Sequence, residues 1–484
     1  MKLSRLSGFD ASTLVDMRSQ PMTGCALWEL DMSTVPGGYS FERFRDALSA
    51  RMPALPEFRM KLADSVLNLD TPVWVEDTEF DLDRHLHRVE LPAPGDRPEL
   101  MKFAGRLMAG RLDRDRPLWD MWVIEGLSGT CSDFSGRVAV MHRMHHVLGD
   151  GVSALDILSR LCGTEPDSPL PEPRDGVGVV GKWQIVFDGL VQFLRRPWYL
   201  LTKLLPATVI GARRARAVRR RAQDLAIPVV FRAPRTSFNG NVSERRNMAF
   251  VQLDLDDIKA VKDRFKVTVN DVMLALVSGA LRQFLLDRTA LPKAALIAAM
   301  PVSVRQENRA SRNQTSLMQT SLHTEIADPV DRLKAIAAAS SVAKEHALAV
   351  GPSLQQDWMQ CAPGIAALGL RLYRWSGLAS RRPMFNLIVS NVPGPKVQCY
   401  LMGAGVRARY AFGPVLDGAG LNITVMSLNG NLDVGLVSCS QLLPELWEVA
   451  DGLSAALTAL LDAAELNLSD ITRPSAHGLG GTSF

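Results

Sequence analysis

Residues 136–161 read GRVAVMHRMHHVLGDGVSALDILSRL. The first twelve make a short run, with β-branched valines and with methionines among them, bounded by Gly136 and by the LGDG turn, a pattern that predicts a short buried strand. VSALDILSRL then has helical spacing. Three of the chain's eight histidines, at positions 142, 145 and 146, fall in this one stretch, where the strand gives way to the turn. Strand alternation puts His142, Met144 and His146 on one face and Arg143 and His145 on the other.

Outward from this point, strand and helix signals alternate from about residue 25 to 180. SFERFRDALSARM (40–52) has helical spacing and stops at Pro53, and LWDMWVIEGL (118–127) reads as a strand. From about 165 to 235 a Pro/Gly/Asp stretch is followed by WQIVFDGLVQFLRRPWYLLTKLLPATVIGARRARAVRRRAQ, a linker with helical pieces. Its first part carries Trp183, Phe187, Leu190 and Phe193 at helix spacing, and its second has six arginines between Arg213 and Arg221. Such a segment suits an anionic lipid surface or, in the plainer reading, a solvated bridge between domains.

A second mixed unit follows. NMAFVQLDL, LIAAMPVSVR and NLIVSNVPGP read as strands, and NDVMLALVSGALRQFL as a buried helix. PVDRLKAIAAASSVAKEHAL reads as a helix with Pro329 near its start. ITVMSLNGNLDVGLV carries Asn429-Gly430 between alternating runs, a hairpin signal, and a long helix closes the fold. The expected divisions are a first lobe over 1–180, a linker over 181–235, a second lobe over 236–472 and a loose tail over 473–484.

The 484 residues exceed what one core can organise, and with 47% apolar and 22% charged residues the chain is globular. A net charge of +4 gives no reason to expect nucleic acid as a partner. The six cysteines lack CxxC pairs and metal-ligand spacing, which fits a reducing compartment. No secretory leader or charge-free span of membrane length is evident, so a cytoplasmic protein with peripheral membrane contact is expected.

A neutral imidazole can take a proton from an alcohol attacking a carbonyl and return it to the leaving group. His146 suits that role, with His145 packing behind it and Asp150 anchoring the turn by pairing with an arginine. Against this stand a purely structural histidine and a metal site. Neighbours on a strand point to opposite faces, which disfavours the metal.

His145, His146, Asp150 and Gly151 stand as HHxxxDG, the signature of the superfamily that includes chloramphenicol acetyltransferase and peptide-synthetase condensation domains. More closely, the chain resembles the bacterial wax ester synthase/diacylglycerol acyltransferase family. The likeness runs through PVWVEDTEFDLDRHL (72–86), Pro117-Leu118-Trp119, Asn270-Asp271, MPVSVR (300–305) and SNVPGP (390–395). That family pattern carries Gly-Asn where this chain has Arg312-Asn313, and Val147, Leu148 and Gly149 fill the interior of the signature.

The resemblance implies an α/β (α+β) fold of two chloramphenicol-acetyltransferase-like lobes with mixed sheets and a substrate tunnel between them. It implies His146 as general base, His145 and Asp150 in support, and Gly151 permitting the turn. Pro117, Leu118 and Trp119 read most simply as packing, and Asn270 and Asp271 as a helix cap. Ser390, Asn391, Pro393 and Gly394 are candidates for presenting donors to a reacting carbonyl oxygen, and Arg305 is a candidate partner for Asp150.

The expected activity is transfer of a long-chain acyl group from acyl-CoA to diacylglycerol or a long-chain fatty alcohol. The expected location is a membrane or lipid-droplet surface, with no metal and no cofactor beyond acyl-CoA as substrate. The rivals are acylation of another alcohol or amine, a non-catalytic lipid-surface protein on the same scaffold, and a zinc hydrolase.

Overall fold

The computed structural model describes residues 3–14, 21–64, 70–128, 137–149, 156–157, 159–178, 180–222, 227–303, 315–351, 354–361, 368–369, 371–373 and 375–464. Two mixed sheets organise it. The first runs β4 (Leu86–Glu90), β5 (Trp119–Glu125), β6 (Arg137–His145), β1 (Thr23–Asp31), β13 (Ala404–Phe412), β12 (Tyr400–Leu401) and β7 (Cys162–Gly163). The second runs β10 (Thr315–Ser321), β9 (Ile297–Ser303), β11 (Leu387–Val392), β14 (Leu421–Leu428), β15 (Asn431–Cys439) and β8 (Arg246–Asp254). A small ribbon pairs β2 (Met60–Ala63) with β3 (Val73–Glu76).

Local signals account for many of these boundaries. Ser40 caps the helix Phe41–Arg51 by accepting from the amide of Arg43 at 3.2 Å, which satisfies one of the donors a helix start leaves over. The β14–β15 hairpin turns through Asn429 and Gly430, both at positive φ (49° and 76°), the geometry that Asn-Gly tolerates best. The strand expected over 136–147 ends at His145, and His146 opens a single 3₁₀ turn, His146–Leu148.

One feature has no counterpart in the linear reading of the chain. Strands β12 and β13, from its last fifth, lie in the first sheet, where β13 pairs antiparallel with β1. Residues Leu27, Leu100, Met141, Tyr410 and Phe412 then share one core with Met248, Phe250 and Val437 of the second sheet. The approach is close: a Cβ added at Gly435 would lie 2.2 Å from the carbonyl oxygen of Ala411, so only glycine fits that position of β15.

The outer side of the first sheet packs on Phe58, Leu48 and Leu55. The second lobe closes around the helix Val269–Asp287, flanked by the helices Pro329–Val350 and Leu446–Ala463. Among the described residues Val269–Asp287 is the one helix long and apolar enough to cross a bilayer, and 67% of that window is buried in the protein.

Candidate active site

Strand β6 lies between β1 and β5, and both neighbours grip its end. The amide of His145 donates to the carbonyl of Leu118 at 2.9 Å, and that of His146 to the carbonyl of Met22 at 2.8 Å. The histidine pair is thus fixed by its backbone before any side chain acts. Pro117-Leu118-Trp119 contributes in two ways: Leu118 and Trp119 are core residues, and the Leu118 carbonyl holds the amide of His145.

The two histidines differ. His145 is 6% exposed, and its Nδ1 accepts from the amide of Val147 at 3.2 Å, capping the turn that follows. That bond leaves the hydrogen of the neutral ring on Nε2. Burial, then the neighbouring His146 and Arg114, pushes its pKa down to about 3, so the ring is uncharged at neutral pH. His146 is only partly buried.

Beneath them the strand carries buried polar groups on both faces. Arg143 and Asp120 face each other across β6 and β5, bridged by Nε to Oδ1 at 2.8 Å and by a second nitrogen–oxygen contact. Arg143 also donates to the carbonyls of Leu107 and Gly110, tying the end of the helix Arg97–Ala109 to the sheet. On the other face His142 packs on Phe58 at 5.4 Å, and Phe58 stacks on Trp119 at 4.3 Å. Burial, then the charge of Arg409, pushes the pKa of His142 down to about 4.

The other residues singled out in the sequence fall in different places. Asp271 forms a capping box with Thr268, accepting from its amide at 3.0 Å and its hydroxyl at 2.7 Å, and also accepts from the hydroxyl of Ser340 at 2.5 Å. Together with Asn270 it belongs to the second lobe's helix start. Ser390 and Asn391 lie on β11 beside Thr424 and Val425 of β14. Pro393 is exposed, and the amide of Gly394 donates to the hydroxyl of Ser427 at 3.1 Å. A Cβ at Gly394 would sit 1.7 Å from the carbonyl oxygen of Ser427, so this turn requires glycine. Asp150, Gly151 and Arg305 lie outside the described residues, as do Arg312 and Asn313. Among the described residues no group of three or more His, Cys, Asp or Glu gathers to hold a metal ion.

Sequence reasoning passed over His85, whose ring lies against Trp119 at 4.8 Å, and the carbonyls of Met22 and Leu118. A backbone acceptor has no side-chain signature. His85 had one, a histidine inside the PVWVEDTEFDLDRHL stretch that carries the family likeness.

Two mixed sheets share a core, and the histidine pair lies at the end of an inner strand of the first. Residues 6–273 match the wax ester synthase/diacylglycerol acyltransferase catalytic domain and residues 312–461 the WS/DGAT C-terminal domain; the chain belongs to this family. A Mycobacterium tuberculosis protein named for diacylglycerol O-acyltransferase activity is 49% identical over 466 residues, covering 96% of this chain and 91% of the relative. One from Mycobacterium bovis is 34% identical over 465 residues, covering 93% and 96%. The solved wax ester synthase/diacylglycerol acyltransferase of Marinobacter aquaeolei superposes with a TM-score of 0.69 at 27% identity, over 96% of this chain and 100% of that one. A condensation domain of the calcium-dependent antibiotic synthetase shares the fold, with a TM-score of 0.57 at 14% identity over 96% of each chain. The protein is an O-acyltransferase.

Proposed function

We propose that His146 is the general base for transfer of a long-chain acyl group from acyl-CoA to the hydroxyl of diacylglycerol, giving triacylglycerol, or of a fatty alcohol, giving wax ester. The observation that carries this is the division of labour in the pair. His145 is buried, uncharged and committed to capping the turn, whereas His146 is the less buried residue of the two.

The alcohol oxygen attacks the thioester carbonyl carbon while His146 accepts its proton. The tetrahedral oxyanion collapses, the C–S bond breaks, and the CoA thiolate takes the proton from the imidazolium. Both substrates meet in the passage between the lobes, so no acyl-enzyme forms. The chemistry needs no cofactor. The SNVPGP strand end supplies donors to the oxyanion.

The linker helices are the membrane-facing element. Helix Lys182–Tyr199 is fastened to the body by its polar residues: Asp188 pairs with Arg5 at 2.6 Å and Arg196 with Asp70. Its large apolar residues point outward, with Trp183 85%, Phe187 70% and Trp198 73% exposed. This inverts the usual amphipathic arrangement, in which the apolar face is covered. Helix Leu205–Arg221 buries Gly211, Ala215 and Val218 and exposes its arginines, adding charge complementary to anionic lipid.

Two measurements test this reading. Thiol release from acyl-CoAs with diacylglycerol, hexadecanol or neither identifies the acceptor, and His146→Ala should lower it on the order of 10²- to 10⁴-fold. Binding to anionic vesicles should fall when Trp183, Phe187 and Trp198 are changed together to serine. Unchanged binding would remove the membrane role and leave the chemistry standing.

A further inference from the structure

His85 ends the 3₁₀ turn Leu82–Arg84 and leads into β4. Its amide donates to the carbonyl of Leu82 at 2.9 Å, and its own carbonyl accepts from the amide of Met121 at 2.7 Å. Leu86 is paired with Met121 in the parallel β4–β5 ladder, which sets His85 opposite Asp120. Regular parallel pairing would send the amide of His85 to the carbonyl of Trp119, but the turn has already used it. The imidazole takes its place, with Nδ1 2.7 Å from the Trp119 carbonyl oxygen. A carbonyl only accepts, so Nδ1 carries the hydrogen.

The ring has little freedom to do otherwise. It is 4% exposed and stacks on Phe80 at 5.4 Å and on Trp119 at 4.8 Å. The Trp119 indole in turn donates to the carbonyl of Phe58 at 2.8 Å. One residue back, the Leu118 carbonyl receives the amide of His145. Residues 118 and 119 are thus held on one side by His85 and hold the histidine pair on the other.

We propose that His85 is a positioning residue for acyl transfer: its Nδ1–H, acting through the Trp119 carbonyl and the Leu118–His145 backbone bond, fixes where His146 leaves the strand. This rests on His146 being the base. His85 touches none of the reacting atoms, and its effect is on geometry, to which proton transfer is sensitive.

The test compares His85→Phe, which retains an aromatic ring and loses the donor, with His85→Asn, whose carboxamide N–H reaches where Nδ1 stood. Thiol release by the full-length enzyme is measured at varied acyl-CoA, with His146→Ala and thermal unfolding alongside. The expected result is a kcat for His85→Phe lower by roughly 10- to 100-fold, with KM for acyl-CoA within about twofold of the parent. His85→Asn should recover most of the loss.

A His85→Phe enzyme turning over like the parent overturns the proposal, as does a His85→Asn enzyme no better than His85→Phe. Should His85→Phe fail to fold, His85→Leu against His85→Asn makes the same comparison, since the two side chains match in shape and differ in the donor. Parent-like turnover by His146→Ala would remove the general-base reading on which the proposal rests. Parent-like turnover by His85→Phe beside an inactive His146→Ala would remove the positioning role alone.

Discussion

The two lobes spend their interiors differently. Around the helix Val269–Asp287 the second lobe is filled by Leu274, Leu276, Val277, Leu281 and Leu285, all essentially inaccessible to solvent, and the helix's one buried carboxylate is used in its cap. Around β6 the first lobe buries His85, Asp120, His142, Arg143 and His145, each less than a tenth exposed. Buried polar groups cost stability unless they find partners; here Asp120 and Arg143 pair with each other, and the rings of His85 and His145 bond backbone groups of Trp119 and Val147. The second lobe buries polar groups as well, Ser278, Asn386 and Asp433 among them, but those of the first lobe sit beside the strand that leads to the histidine pair.

The largest effect expected from breaking this division is at the pair itself. His146→Ala should lower thiol release on the order of 10²- to 10⁴-fold while circular dichroism stays unchanged. Next, Asp120→Ala leaves Arg143 buried without its counter-charge, and should cost about 3–5 kcal/mol in urea unfolding and lower kcat in the folded fraction as well. Leu276→Ala, in the second lobe, should cost about 2–5 kcal/mol and leave kcat of the folded enzyme intact. A Leu276→Ala enzyme with depressed kcat would erase the distinction between the lobes.

The smallest effect is at their seam. Asp433 is wholly buried, accepting from the amide of Arg409 at 2.8 Å and from Gln252 at 2.8 Å, and burial lifts its pKa from 3.8 to about 7. The folded protein therefore binds this proton more tightly than the unfolded chain does. The resulting stabilisation is present below about pH 4 and is lost as pH rises towards 7. Asp433→Asn has no proton to lose, so relative to the parent its unfolding free energy should climb over that window by up to a few kcal/mol. Parallel pH profiles would contradict this.

Much of the fold is legible in the sequence because its cues are local. The apolar run of the helix Val269–Asp287, the Asn429-Gly430 hairpin and the Ser40 cap each declare themselves within a few residues. Strands β1 and β13 do not. GVRARYAF alternates arginines as a surface strand would, yet Arg409 is buried with its guanidinium 4.7 Å from the Trp28 ring, and burial pushes its pKa down to about 10. Only pairing with β1, far away in the chain, makes that placement intelligible. The histidine pair was visible as a motif. What holds it, the Leu118 and Met22 carbonyls and a ring standing in for its own amide, depends on hydrogen bonds that residue identity does not encode.

The pairing of β1 with β13 also bears on how the molecule is made. A chain emerging from the ribosome presents β1 early and must keep one side of that strand unmatched until residue 412 has been synthesised. An open strand edge invites wrong partners, and closing so distant a contact is slow. The sheet that carries the histidines is therefore completed only late in synthesis, and an amino-terminal fragment ending before β13 leaves one edge of β1 unpaired.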